Sequence, residues 1–256
     1  MARRPTYVFP GSSTNLDFFV VPALRRGRRE FAVRASRLDY TFHWRPVIRK
    51  LPDLLEAGLV TMEVAVLAML LGVLLGLALA MVRMSGNRSV TWFAVGWIEL
   101  ARNTPALLQL FFFGFGLGAF GLHLSPFMIV LCGLSFNNAG YLAETFRGGF
   151  NAVPPTQLKA ARSLGMTLGQ SYIRIVIPQV LRVVYHPMTN QMVWSVLMSS
   201  LAMLVGYREL AGETQFLASK TYRIFEFFLV AAVIYYLMVK LILVGSRLLS
   251  WRLFRY

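Results

Sequence analysis

The chain has 256 residues, of which 57% are hydrophobic and only 14% charged, with a mean hydropathy of +0.58. A water-soluble domain carries about 25% charged residues and spreads its apolar residues in periodic stripes, so this composition excludes a soluble globular protein. The formal net charge of +15 does not make it a nucleic-acid binder, because the basic residues sit between apolar blocks and in the N-terminal tail. Anionic lipid head groups are the partner that fits them.

Residues 1–38 hold eight Arg, a Gly11-Ser12-Ser13-Thr14 stretch and a short apolar run, Phe18 to Leu24, broken by Pro22. That run is too short to cross a bilayer and lacks the uninterrupted apolar stretch of a cleavable signal peptide. It reads as a basic, poorly structured extension ahead of a membrane domain covering residues 39–256.

Five apolar stretches follow, at about Leu54 to Met84, Ala106 to Leu122, Pro126 to Phe146, Val180 to Val205 and Phe225 to Leu249. Runs such as Val64 to Val82 are long enough for a hydrocarbon core of about 30 Å at 1.5 Å per residue. Lipid offers the backbone no hydrogen bonds, so such runs must be helical. The fold class is therefore all-α: a polytopic bundle of about five transmembrane helices. Cys132 lies within the third stretch and reads as an inert buried thiol.

The connectors divide into two sets. One holds Arg83, Arg88, Arg102, Arg147, Lys159, Arg162, Arg174, Arg182, Lys240, Arg247, Arg252 and Arg255; the other holds Arg45, Arg49, Lys50, Arg208, Lys220 and Arg223. Twelve basic residues against six place the C-terminus and the long third connector in the cytoplasm. The tail then falls on the outer side, against the same rule.

That third connector, about residues 148–178, is long for a helix-to-helix link. After the loop Gly148 to Pro155, Thr156 is suited to cap a short helix, Gln157 to Leu164, which Gly165 stops. Leu158, Ala161 and Leu164 share one face, with Lys159, Arg162 and Ser163 away from it. A second short amphipathic stretch, Leu168 to Val176, ends at Ile177-Pro178, giving two helices at an angle, shaped to dock in the cleft of another protein.

The run Lys159-Ala160-Ala161, Gly165 and Ile177-Pro178 resembles the cytoplasmic coupling loop of ATP-binding-cassette (ABC) importer permeases, normally Glu-Ala-Ala, Gly and a hydrophobic residue before Pro. Three further segments are similar to the polar amino acid branch of that family: Glu99 to Gln109 (ELARNTPALLQ), Tyr141 to Gly149 (YLAETFRGG), and Ser199-Ser200-Leu201 running to Gly206. The resemblance covers about residues 40–256. It implies a permease of the bacterial inner membrane working with an ABC ATPase dimer, a sister permease or second copy of itself, an extracytoplasmic solute-binding protein and an amino acid substrate. ATPase coupling would then fall to Lys159, Ala160, Ala161, Arg162, Ser163, Leu164 and Gly165. Lys159 replaces the usual Glu. Many members also carry an acid after the position of Asn190 and a Lys-Asp pair before the Ser/Thr-Ser-Leu run; here those positions are Gln191, Leu197 and Met198.

A solute crossing such a bundle needs polar side chains on a shared interior. The candidates for that pathway are Ser135, Asn137, Asn138 and Tyr141 on the third span, and Asn190, Gln191, Ser195, Met198, Ser199 and Ser200 on the fourth. The bland alternative is that they bond neighbouring helices. Glu144 and Arg147 read as an ion pair at a helix end, Gly72 and Gly76 as a close-packing face, and Thr104-Pro105 as the cap and first residue of a helix.

Isolated His43, His123 and His186, no paired acids within the spans and no phosphate-binding Gly-rich motif leave no catalytic, cofactor or metal site to name. A stand-alone ion-coupled carrier is the competing class. It would place ionisable groups mid-span, whereas Glu63, Glu99 and Glu144 lie near span ends.

Overall fold

The computed structural model describes residues 40–254; the basic extension assigned to residues 1–38 lies outside them. Every element among the described residues is helical. In chain order they are α1 (Arg45–Arg49), α2 (Leu51–Met84), α3 (Arg88–Asn103), α4 (Ala106–Phe111), α5 (Pro126–Asn151), α6 (Pro155–Ser163), α7 (Leu168–Ser171), α8 (Ile177–Met198), α9 (Leu210–Thr221) and α10 (Ile224–Leu253). A five-residue π turn, Tyr172–Val176, joins α7 to α8, and a 3-10 segment, Ser199–Val205, continues α8.

Four helical stretches are long and apolar enough to span a membrane: Leu51–Met84, Pro126–Asn151, Leu168–Val205 and Ile224–Leu253. The expected second span is different. Ala106 begins only a six-residue helix that loosens into a π turn, Phe112–Gly116, and a 3-10 turn, Gly118–Phe120. It pairs instead with α3, bent through 114° at the break, so the described residues hold four straight spans and one bent pair with the form of a broken span or a re-entrant loop. Thr104 does not cap α4. Its hydroxyl donates back to the Leu100 carbonyl at 2.6 Å, and Pro105 stands just before the new helix, as its N-cap residue, in an extended conformation.

α2 and α5 form the central seam. A methyl group built on Gly72 would stand 2.5 Å from the Asn138 Cβ, and one on Gly76 2.8 Å from the Leu142 Cβ. Only hydrogen fits at either position, which lets the two backbones close as small-residue faces do in membranes. Further along α5, Gly140 meets the Ala101 Cβ of α3 and Gly149 meets the Val184 side chain of α8 in the same way. Four apolar clusters fill the rest, among them Leu142, Phe146, Val180 and Val184 at the α6 end, and Leu54, Val196, Leu210, Leu217 and Phe227 at the other. α10 contributes no buried residue after Met238.

Two helices were hidden in the connectors. α3 buries Ala94, Ile98 and Ala101, and α9 buries Leu210, Ala211, Thr214, Leu217 and Ala218; both show the three-to-four-residue spacing of a one-sided helix.

Candidate functional site: a polar cavity between α5 and α8, with a projecting loop

Asn137 and Tyr141 from α5, and Asn190, Gln191, Ser195 and Met198 from α8, line one cavity of about 590 Å³, with Asn138 beside them. Thr104, Pro105 and Ala106 from the α3–α4 break close another side, and Leu134, Thr145, Pro187 and Trp194 complete the wall. No charged side chain is among the lining residues.

The hydrogen bonds explain why this wall stays in place. Asn138 donates to the Ser195 hydroxyl at 3.1 Å and accepts from the Gln191 carboxamide at 2.9 Å, tying α5 to α8. Asn137 donates to the Gln109 side-chain oxygen at 3.0 Å and to the Ala101 carbonyl at 3.2 Å. Gln109, itself buried, donates to the Ala101 carbonyl at 2.9 Å and lies 3.0 Å from the Thr104 hydroxyl. Gln109 thus satisfies a carbonyl that the break in the α3–α4 unit leaves without its helical partner. Among the described residues the Asn190 carboxamide has no hydrogen-bond partner, and its side chain is exposed. The stripe is therefore both: amides that bond neighbouring helices, with their free faces turned to a common space.

Three of the expected pathway residues do not reach that space: Ser135, Ser199 and Ser200, whose hydroxyl donates to the Leu197 carbonyl at 2.7 Å on the side facing α10. Ser199 is fully buried and donates to the Val196 carbonyl at 2.7 Å, because the backbone tightens to 3-10 geometry there and turns the hydroxyl inward. Ser135 is buried on another face of α5, with its hydroxyl unpartnered among the described residues. Two residues before Asn137 is a rotation of about 200° around the helix. Thr145, Pro187 and Trp194 went unnoticed in the sequence, and Thr104 was read there only as a helix cap. Thr145 and Trp194 each stand four residues from a named member, Tyr141 and Asn190, and that spacing was the available signal.

At the end of the cavity nearer α6, Glu144 collects three arginines. Arg83 of α2 bonds one carboxylate oxygen, Arg147 reaches the other at 2.7 Å, and Arg102 stands 3.9 Å away. The Arg102 guanidinium lies 5.8 Å from the centroid of the Tyr141 ring, whose hydroxyl donates to the Arg102 carbonyl at 3.4 Å. The expected local pair is thus the centre of a junction joining α2, α3 and α5.

The projecting loop departs from expectation at both ends. α6 begins at Pro155 and not after Thr156, since proline's fixed φ suits the first helical position. Gly165 adopts φ +83° and turns the chain. Thr167 and Gln170 then form a reciprocal capping box, but the helix they start does not stop at Pro178: it runs on as one 38-residue unit, Leu168–Val205. Of the residues expected to handle coupling, Ala161 is buried against the bundle, whereas Lys159, Ala160, Arg162, Ser163, Leu164 and Gly165 are exposed.

At the opposite end, Glu209 is fully buried. One carboxylate oxygen accepts the backbone N–H groups of Ala211 and Gly212 at 2.8 and 3.0 Å, capping α9. The other accepts the Tyr235 hydroxyl at 2.6 Å and lies 3.0 Å from the Thr61 hydroxyl. Burial pushes this carboxyl above the usual carboxylate range, and the four donors pull it only partly back. Among the described residues no group of metal-ligating side chains is found.

Residues 72–255 match the family described as binding-protein-dependent transport system inner membrane component. The probable amino-acid permease protein YxeN of Bacillus subtilis (strain 168) is 32% identical over 201 residues, 77% of this chain and 90% of that protein. The probable glutamine ABC transporter permease protein GlnM of the same organism is 31% identical over 193 residues, 75% of this chain and 89% of that protein. Among solved structures, that of an amino acid ABC transporter with histidines superposes with a TM-score of 0.78 at 30% identity, covering 83% of this chain and all of that one. The MetNI methionine ABC transporter in an inward-facing form, at 17% identity and a TM-score of 0.62, shares the fold over 79% of this chain and 95% of its own. A membrane bundle with a glycine-closed seam, a polar cavity and a projecting loop, matched across these residues, belongs to the family of inner membrane components of binding-protein-dependent transport systems.

Proposed function

We propose that this chain is the permease subunit of an ATP-driven ABC importer for polar amino acids. The cavity between α5 and α8 is its translocation pathway, and α6 is the element through which two cytoplasmic ATPases act on it. The observation that carries the reading is the cavity itself: carboxamides and hydroxyls from two spans converge on a volume large enough for an amino acid, in a chain whose relatives are named for glutamine and other amino acids. It is a cleft at the surface of one bundle, with Asn190, Tyr141 and Trp194 exposed. A sister permease or a second copy of the chain closes it. The basic residues at the α6 end support a cytoplasmic position for that end and the C-terminus, and an extracytoplasmic solute-binding protein delivers substrate to the other. The stand-alone carrier has no support in a family that depends on a binding protein.

The uncharged lining also bears on substrate. With Gln191 and Met198 in the wall and no carboxylate, nothing balances a cationic side chain in a partly dry space, so the subunit favours neutral or acidic amino acids. Reconstitution with ATPase and binding protein tests this: uptake should require ATP and be competed by Gln or Glu more strongly than by Arg. Uptake without nucleotide would overturn the importer reading, and dominance by Arg the substrate reading. In the same system Gly165→Val should uncouple hydrolysis from uptake while the bundle still inserts. A β-branched residue at φ +83° is strained by about 1 kcal/mol or more and re-aims the Thr167 cap.

A further inference from the structure

We infer that the partner socket receiving α6 has an apolar floor and an acidic rim, so that permease and ATPase associate through opposite charges with the permease as the cationic side. This rests on the importer reading above and adds the electrostatic polarity of the contact. The stretch from Thr145 to Tyr207 contains no Asp or Glu. Within it, Lys159 and Arg162 lie three residues apart on the exposed face of α6, opposite the buried Ala161, and Arg174 follows on the adjoining π turn. None of the three forms an ion pair among the described residues, and Lys159 and Arg174 make no side-chain hydrogen bond there. Arg162 donates only to the Met166 carbonyl, at 3.2 Å, a bond across the Gly165 turn that fixes its direction.

Among these cations stands an apolar tip. Leu164 is 84% exposed, Ile173 68% and Leu168 55%. Leu164 shares a helical face with Leu158 and Ala161 in the sequence, yet as the C-cap residue of α6 it stands in the open while Ala161 is buried. Apolar anchors filling a pocket supply the strength of a contact, and flanking charges supply its register and speed of encounter. An anionic lipid surface would also attract the cations. It needs no fixed shape, however, and this projection is held by a left-handed turn and a two-sided capping box. That pre-organisation fits a protein socket.

The test uses the full tagged chain in phosphatidylcholine nanodiscs and the ATPase subunit that co-purifies with it, with affinity measured across a range of salt. Reversing both charges, Lys159→Glu with Arg162→Glu, should weaken binding about ten-fold or more and flatten its salt dependence. The neutral pair Lys159→Gln with Arg162→Gln should fall between. Exchanging rim acids of the ATPase for Lys should restore the reversed variant. Both residues are exposed, so thermal unfolding of the variants should match the parent and exclude misfolding. Binding that ignores the reversal overturns the acidic rim and leaves the importer reading standing, whereas no ATPase bound by the parent chain overturns both. A loss of binding seen only when phosphatidylglycerol is included assigns the cations to lipid and overturns the inference.

Discussion

The two ends of the bundle each centre on one carboxylate, and they treat it in opposite ways. Glu144, near α6, sits among three guanidiniums on three helices and keeps 18% of its side chain accessible, with Arg102 40% accessible beside it. Glu209, at the far end, has no accessible surface and is held by two backbone N–H groups and two hydroxyls. The lesson concerns rigidity. Directional bonds to neutral donors in a dry site lock α9 and α10 against α2 in one geometry, whereas a wet cluster of long cations tolerates several geometries at similar energy. The far end is built as a fixed cap, and the α6 end as a junction that can rearrange.

The strongest way to break the contrast is Glu209→Ala. It would orphan the donors that converge on the carboxylate, each costing about 1–3 kcal/mol when left buried and unpaired, so a loss on the order of 3 kcal/mol or more should appear in detergent unfolding. Retention of the parent stability would show that this end is not locked. Next is Gly72→Ala, in the seam joining the two ends. The added methyl would overlap Asn138, and overpacking of this kind costs about 1–3 kcal/mol. It should also displace the Asn138 bonds to Ser195 and Gln191, so uptake should fall further than stability alone accounts for. Glu144→Gln should cost less, about 1 kcal/mol, because its partners are partly solvated. That loss should shrink at high salt, while the effect of Glu209→Ala should not.

The smallest effect is a dependence on pH. A carboxyl whose folded value is raised, as burial raises that of Glu209, binds its proton more tightly in the folded state. Its stabilising contribution is present at low pH and is lost as pH rises through the folded value. The parent should therefore lose stability as pH rises above the usual carboxylate range, and Glu209→Gln should flatten that part of the curve. An unchanged slope in the variant would place the titration elsewhere.

Much of this was legible in the sequence because lipid leaves so few choices. Long apolar runs such as Leu54 to Met84 must be helices, and Gly72 with Gly76 must let something close. The stripe from Asn137 to Tyr141 was legible as a stripe, since helical spacing alone puts those residues on one face. What sequence could not supply is which third element meets that face. The break after Asn103 brings Thr104 and Pro105 into the cavity wall, and its 114° bend depends on Gln109 finding carbonyls that exist only once α3 and α4 are folded together. Ser199 was misplaced for a related reason: Ser195 and Ser199 share a face only while the backbone is α-helical, and it ceases to be so at Ser199. α9 went unseen because its apolar stripe is short, and because Glu209 reads as an ordinary loop acid until Tyr235 and Thr61 are brought to it.

The unbroken helical unit from Leu168 to Val205 has a mechanical meaning. At about 1.5 Å per residue, Gln191 lies roughly 33 Å along it from the first turn beside Gly165. The cap at one end and the cavity wall at the other are thus two points on a single lever, with the π turn Tyr172–Val176 near its handle. Tilting such an arm by about 10° about its base would sweep the cavity wall sideways by about 6 Å, the width of a small side chain. Force applied at the loop would then travel to the cavity wall along one helical unit, with the interior Pro187, itself in that wall, as the point where the arm can bend.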